Sequence, residues 1–169
     1  MREQRYVFKL AESAAEIEQY FAVRKEVFVD EQKLFAESDR DEYDAIALPI
    51  IAKEMASDTV VGTVRCYSVA EGVWIGGRLA VRKAYRGRLG VVLVRTALRV
   101  MVENKCQEFY AYVQIQNVHF FERLGWEKTG DSSILHGICH EMMKIDMNRQ
   151  TAVLNGKEYV RGVGIEKCI

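Results

Sequence analysis

Apolar and polar residues alternate across Arg5–Leu10, the period of a half-buried strand. Ser13 and Glu16 then form an S-x-x-E capping box. Behind it Ile17, Tyr20, Phe21, Arg24, Val27 and Phe28 recur at helical spacing, which predicts a helix from Ser13 to about Asp30. The acidic stretch 36–44 has no apolar period and reads as a loop. Three apolar-rich runs follow, Ala45–Met55, Thr59–Val69 and Val73–Val81, separated by turn signals at Ser57-Asp58 and Glu71-Gly72. They predict an antiparallel meander. Pro49 lacks a donor for the ladder and confines the first run to a sheet edge or a bulge. Leu89, Val92, Leu93, Ala97, Val100 and Met101 repeat at i, i+3, i+4, and Val91, Val94, Leu98 and Val102 fill the other faces. A helix buried on most sides is expected there, ending at Asn104. Glu108–Ile115 reads as a strand, Asn117–Leu124 as a short helix stopped by Gly125, and Trp126–Thr129 and His140–Met147 as two closing strands. Further on, Asn155-Gly156 between T-A-V-L and K-E-Y-V predicts a two-residue hairpin.

The order of elements predicts one α/β (α+β) domain over residues 1–147, followed by a tail, 148–169. Its sheet is mixed and mostly antiparallel, flanked by helices, because the strand–helix–strand unit at 73–115 imposes one parallel pair. Composition agrees: of 169 residues, 49% are hydrophobic and 28% charged, as in an ordinary globular chain. Lys+Arg and Asp+Glu both count 24, so the basic excess of a nucleic-acid binder is absent. No apolar run reaches membrane-spanning length, and the opening MREQRYVFKLAES lacks the pattern of a signal peptide. Cys66, Cys106, Cys139 and Cys168 show neither C-x-x-C pairing nor framework spacing and read as reduced thiols. A cytoplasmic protein with no nucleic-acid or membrane partner is expected.

The neutral total hides an asymmetry. Residues 30–44 are dominated by Asp30, Glu31, Glu37, Asp39, Asp41, Glu42 and Asp44, whereas 78–99 carry Arg78, Arg82, Lys83, Arg86, Arg88, Arg95 and Arg99 and no acid. Two solvated faces would produce this pattern; so would a cationic site for a polyanion beside an anionic site for an amine. The segment A-Y-R-G-R-L-G-V-V-L-V (84–94) favours the second reading. A helix start leaves amide donors unpaired, glycines let the backbone approach an anion, and arginines add charge-assisted bonds.

L-A-V-R-K-A-Y-R-G-R-L-G-V-V-L-V (79–94) resembles the strand–turn–helix signature of the GNAT acyltransferases. Q-N-V-H-F-F-E-R-L-G-W (116–126) resembles the second signature of that family. The resemblance spans about residues 5–147. It implies a GNAT-fold domain with two splayed parallel strands, acetyl-CoA or CoA as co-substrate, no metal, and a small-molecule amine as acceptor, with a homodimer left open. It implies that the pantetheine lies along the backbone of Leu79, Ala80 and Val81. The pyrophosphate lies on the amides of Arg86, Gly87, Arg88, Leu89, Gly90 and Val91, and Asn117 and Phe121 complete the coenzyme site. Arg82, Lys83 and Arg88 would steer the adenosine phosphates. Leu89 stands where the family has glycine, and Phe121 where it has a proton-donating tyrosine; His119 is a substitute acid. Glu31, Asp41 and Asp44 are candidate bases for the amine.

R-K-E-V-F-V-D-E-Q (24–32), E-S-D-R-D-E-Y-D (37–44) and V-G-T-V-R (61–65) resemble the acyl-homoserine lactone synthases, which share the fold. The matching positions are Arg24, Phe28, Asp41, Asp44 and Arg65. With Arg78, which precedes the coenzyme strand, Arg24, Phe28 and Arg65 are candidate substrate-binding residues. That resemblance implies a carrier-bound acyl donor and S-adenosylmethionine as acceptor. The whole also resembles a bacterial GNAT subgroup linked to nitrilase gene clusters. A non-catalytic acyl-CoA sensor is a further alternative, motivated by Phe121 and the altered turn. The run H-G-I-C-H (136–140) lacks a fourth ligand for zinc and reads as entry into the last strand.

Overall fold

The computed structural model describes residues 4–159. Strand β1 (Tyr6–Leu10) leads into helix α1 (Ala14–Arg24) through the expected capping box. Ser13 Oγ accepts the Glu16 N–H at 3.1 Å, and the Glu16 carboxylate accepts the Ser13 N–H at 3.5 Å and the Glu12 N–H at 2.9 Å. The helix runs as far as its periodicity predicts, but not as one type. At Lys25 it widens into a π-helix that ends at Glu31. Such a segment is rare and concentrates at functional sites.

The meander is β2 (Leu48–Glu54), β3 (Thr59–Ala70) and β4 (Val73–Val81). Helix α2 (Leu89–Glu103) returns the chain to β5 (Glu108–Gln114); the short α3 (Val118–Arg123) follows, then β6 (Glu127–Leu135), β7 (Ile138–Ile145) and α4 (Met147–Tyr159). The seven strands form one sheet in the order β1-β2-β3-β4-β5-β7-β6, antiparallel except for β4 beside β5.

Each face of the sheet has its own core. Leu93 and Met101 of α2 pack on one face with Ile50, Val61, Phe109, Trp126 and Met143. On the other, Tyr20, Val23, Val27 and Phe28 pack on Ile51, Val60 and Ala80. A fully buried aliphatic side chain contributes about 1.5–3 kcal/mol, so these two layers hold the sheet between helices.

Three sequence expectations need correction. Strand β2 lies inside the sheet, and its bulge is at Ala52/Lys53, not at Pro49. The Pro49 carbonyl accepts the Ala11 N–H at 2.8 Å, so its nitrogen faces the end of β1, where no ladder partner is needed. The closing hairpin is longer than expected: β6 continues to Leu135, and His136 and Gly137 form the turn with φ of 52° and 77°. Positive φ at both central residues is the signature of a type I′ two-residue turn. Finally, α4 runs through Asn155-Gly156, where a hairpin was expected. Asp146 starts it, its carboxylate accepting the Arg149 N–H at 3.1 Å, and Met147 anchors it in the α2 core. The remainder of the tail, 160–169, lies outside the described residues.

Candidate active site

The parallel ladder between β4 and β5 runs from Val73↔Glu108 to Gly76↔Ala111 and stops there. The cause is in β4. Its register against β3 steps from Arg65↔Gly77 to Thr63↔Ala80, which leaves one extra residue at Arg78-Leu79. Arg78 takes a φ of 53°, and Thr63 Oγ1 donates to the Arg78 carbonyl at 3.1 Å. A bulge of this kind bends its strand and raises the local twist. Beyond Gly76 the two strands therefore diverge, and among the described residues Gly77–Val81 has no strand partner on the β5 side.

The chain leaves this wedge through a 3-10 turn, Lys83–Tyr85. Gly87 has a φ of 133°, a conformation that a side chain would strain, although no atom of the described residues lies within 4 Å of where a Cβ would sit. Helix α2 then starts without a side-chain cap at Arg88. Its first amides are thus free to bind an anion. The side chain of Leu89, where the family pattern has glycine, turns into the core and is 4% exposed. Arg88 is exposed, and Gly90 sits beside the ring of Phe120.

Arg86 and Glu31, expected on opposite sides of the chemistry, are bound to each other. Two parallel bonds of 2.6 and 2.5 Å join the guanidinium to the carboxylate, and Arg86 Nε also donates to the Val81 carbonyl at 3.1 Å. The Arg86 hydrogen bonds hold the Glu31 carboxyl below its ordinary range. The next residue, Gln32, accepts a 3.3 Å bond from Gln114 at the end of β5. Glu26 pairs with Arg82 at 3.1 Å. The end of the π-helix thus spans both lips of the wedge.

Arg24, Arg65, Asp41 and Asp44 come together in a buried cluster beside the wedge. Arg24 is wholly buried, with Nε on Asp39 at 2.7 Å, Nη1 and Nη2 on the two Asp44 oxygens at 2.7 and 3.0 Å, and Nη1 on Tyr20 Oη at 3.1 Å. Arg65 binds both oxygens of Asp41 at 2.6 and 2.7 Å and Asp44 at 2.9 Å. Arg78 completes the alternation through Asp39 Oδ2 at 3.0 Å and Asp41 Oδ2 at 3.3 Å. Burial opposes charge on Asp44, but hydrogen bonds from Arg24, the Asp41 N–H and Arg65 prevail and hold its carboxyl well below the aspartate range. Such a carboxylate is a weak base, which argues against Asp44 as the group that deprotonates an amine. Phe28 lines the cluster with its ring 6.0 Å from the Arg78 guanidinium carbon. The ring of Phe35, 4.9 Å from the same carbon, meets His136 of the β6–β7 turn at 4.2 Å.

The second motif is mostly structural. Phe121 is buried, edge-on to Trp126 at 5.5 Å, and Val118 is buried beside it. Asn117 and His119 are exposed. Sequence reasoning assigned no role to Gln32, Gln114, Tyr112 or Phe35, and named Asp39 only as one acid of the acidic stretch. Tyr112 and Gln114 carry a signal in hindsight: they lie on one face of β5, beyond the last rung.

Among the described residues, no cluster of three or more His, Cys, Asp or Glu is placed to hold a metal, and no helix is long and apolar enough to cross a membrane. His140 is buried with Nδ1 2.8 Å from the Ile138 carbonyl, while Cys139 is exposed.

A seven-stranded mixed sheet whose single parallel pair splays at a bulge, before an uncapped helix start, defines an acyltransferase architecture. The acetyltransferase (GNAT) family model matches residues 11–126, and the chain belongs to that family. It is 32% identical over 127 residues to a Bacillus subtilis (strain 168) protein whose name assigns it provisionally to the acetyltransferases, covering 73% of this chain and 84% of that one. In structure it resembles a protein of Lactobacillus plantarum described as an N-acetyltransferase by inference, with a TM-score of 0.77, 23% identity, and 85% and 99% of the two chains covered. It also resembles BjaI, a CoA-dependent acyl-homoserine lactone synthase solved with SAM and isopentyl-CoA, with a TM-score of 0.70, 17% identity, and 90% and 88% coverage.

Proposed function

We propose that the protein transfers an acyl group, most simply acetyl, from CoA to a small-molecule amine in the cytoplasm, by direct attack within a ternary complex. The observation that carries this reading is the junction of the splayed strand pair with the uncapped start of α2. Leu79, Ala80 and Val81 lie beyond the last β5 rung, and amide groups of a pantetheine would pair there as an added strand, in place of the Arg86 Nε now on the Val81 carbonyl. The amides from Arg86 to Val91 and the Arg86 and Arg88 side chains suit a diphosphate. The bound thioester supplies an activated carbonyl; a backbone N–H near Leu79–Val81 would polarise it as charge develops on oxygen.

The amine must lose a proton before it attacks. Glu31 and Asp41 remain the candidate bases; a diphosphate on Arg86 would take the guanidinium that now holds Glu31. His119 is exposed to solvent, and Asn117 and Phe121 would complete the coenzyme site from the α3 side.

A second reading, acyl transfer to S-adenosylmethionine, is favoured by the Arg24–Asp39–Asp41–Asp44–Arg65–Arg78 cluster, built from the segments that resemble the lactone synthases. Purified protein incubated with acetyl-CoA and an amine panel, followed by free thiol release, tests both. Thiol release with an amine supports the first. Turnover only with an acyl-carrier protein and S-adenosylmethionine supports the second. CoA binding without release on any acceptor marks a sensor.

A further inference from the structure

The proposed reaction expels a thiolate, and the family position that would protonate it is Phe121, an apolar ring buried against Trp126. The geometry points to Tyr112 as the catalytic acid in its place, an inference that rests on the donor reading above. Tyr112 is the first residue of β5 beyond the last rung shared with β4, Gly76↔Ala111. It therefore emerges where the wedge opens and where the reacting carbon and sulfur of a threaded thioester would lie. Its side chain shares a face with Tyr110, and the β4 residue at the same level is Gly77.

Gly77 leaves that level open. No atom of the described residues lies within 4 Å of where its Cβ would sit, so the Tyr112 ring has room to lean over the wedge. Its other cross-strand neighbour is Met142 of β7, which has no polar group to claim the phenol. Tyr112 is 37% exposed, and among the described residues its hydroxyl has no hydrogen-bond partner. Two neighbouring phenols are engaged: Tyr110 donates to Glu108 at 3.3 Å, and Tyr20 accepts from Arg24 at 3.1 Å. The ring of Tyr67 is stacked on Tyr43 at 4.3 Å and lies 5.2 Å from the Arg65 guanidinium carbon. A phenol hydroxyl is a donor that can give its proton to a thiolate as the C–S bond breaks.

The proton count closes. The amine nitrogen forms the new C–N bond, the C–S bond breaks, and sulfur leaves with the electron pair and takes the Tyr112 hydroxyl proton. The phenolate then recovers a proton, through water, from the nitrogen of the collapsing adduct.

Tyr112→Phe tests this without disturbing packing. Steady-state kinetics should show kcat lowered about 100-fold, the low end of general-acid effects, with KM for acetyl-CoA within about twofold of wild type. A second readout needs no turnover: the pKa of the thiol of bound CoA, titrated by thiolate ultraviolet absorbance. Loss of a donor to sulfur should raise that pKa by about half a unit or more, with CoA affinity retained. An unchanged kcat, or a bound-thiol pKa that does not move, overturns the assignment. Failure of the wild-type protein to bind CoA at all would overturn the donor reading itself, and this inference with it.

Discussion

Arg24 is the residue whose loss should hurt the fold most for its size. Its side chain is fully buried, and its guanidinium bonds to Asp39, Asp44 and Tyr20. Arg24→Met keeps the volume of the stem and removes every one of those bonds. Among the described residues, Asp39 would retain only Arg78, and Asp44 only Arg65, as charged partners. Removing one partner of a buried ion pair costs about 3–5 kcal/mol, because the other charge stays desolvated. At about 2–4 °C per kcal/mol for a chain of this size, Tm should fall by about 6–20 °C. The assay is thermal or urea unfolding with wild type alongside. The pH dependence sharpens it. The folded pKa of Asp44 is depressed, so its stabilisation is complete above the ordinary aspartate value of ~3.9 and disappears as pH falls through the lowered folded value. The gap between wild type and Arg24→Met should therefore be widest near neutral pH and shrink in acid. A second substitution, Asp44→Asn, should cost less in the Arg24→Met background than alone. A Tm loss of under about 2 °C, which is less than ~1 kcal/mol, or a gap independent of pH, would refute the reasoning.

Three further outcomes are expected. Glu31→Ala removes the carboxylate that spans the wedge to Arg86; CoA and neutral pantetheine should both bind more tightly, by up to about fivefold, as for a partly exposed pair. Calorimetry in which only CoA gains would reduce Glu31 to a competing charge, with no role in holding the wedge shut. Gly87→Val forces a β-branched residue to a φ of 133°, at a cost of about 1–3 kcal/mol; CoA binding should be lost while circular dichroism stays native, and unchanged affinity would remove this turn from the site. Glu16 has its pKa lowered to about 2, first by the Glu12 N–H and, against its burial, also by Lys9 and Lys53. The stability advantage of wild type over Glu16→Gln in urea should be complete above the ordinary glutamate value of ~4.3 and gone as pH falls through about 2; an advantage that persists below that point contradicts the sign.

Local pattern carried most of the elements. The S-x-x-E box, the i, i+3, i+4 run from Leu89 to Met101 and the meander spacing are properties of neighbouring residues, and they appear where periodicity puts them. The closing strands were harder to read. Glu127–Leu135 is polar and largely exposed at the sheet edge, so it lacks the alternation that announces a strand, and it is held by pairing to β7. The tail failed for a related reason. Asn-Gly favours a hairpin only if an open strand edge receives it, whereas Asp146 caps a helix and Met147 docks it on α2.

By itself, the sequence determined the family, the strand–helix–strand unit and the glycine turn, because each depends on residue types at fixed short spacings. It also announced Arg24, Asp41, Asp44 and Arg65 as special. Only the tertiary structure decided what those groups do to one another. The extra residue at Arg78-Leu79 becomes a bulge only against β3, and the wedge exists only because that bulge turns β4 away from β5. Arg86 meets Glu31 across 55 positions of chain, and Gln114 meets Gln32 across 82. Charge pairing and proton affinity follow distances of a few ångströms, and for residues so far apart along the chain those distances are set by packing alone.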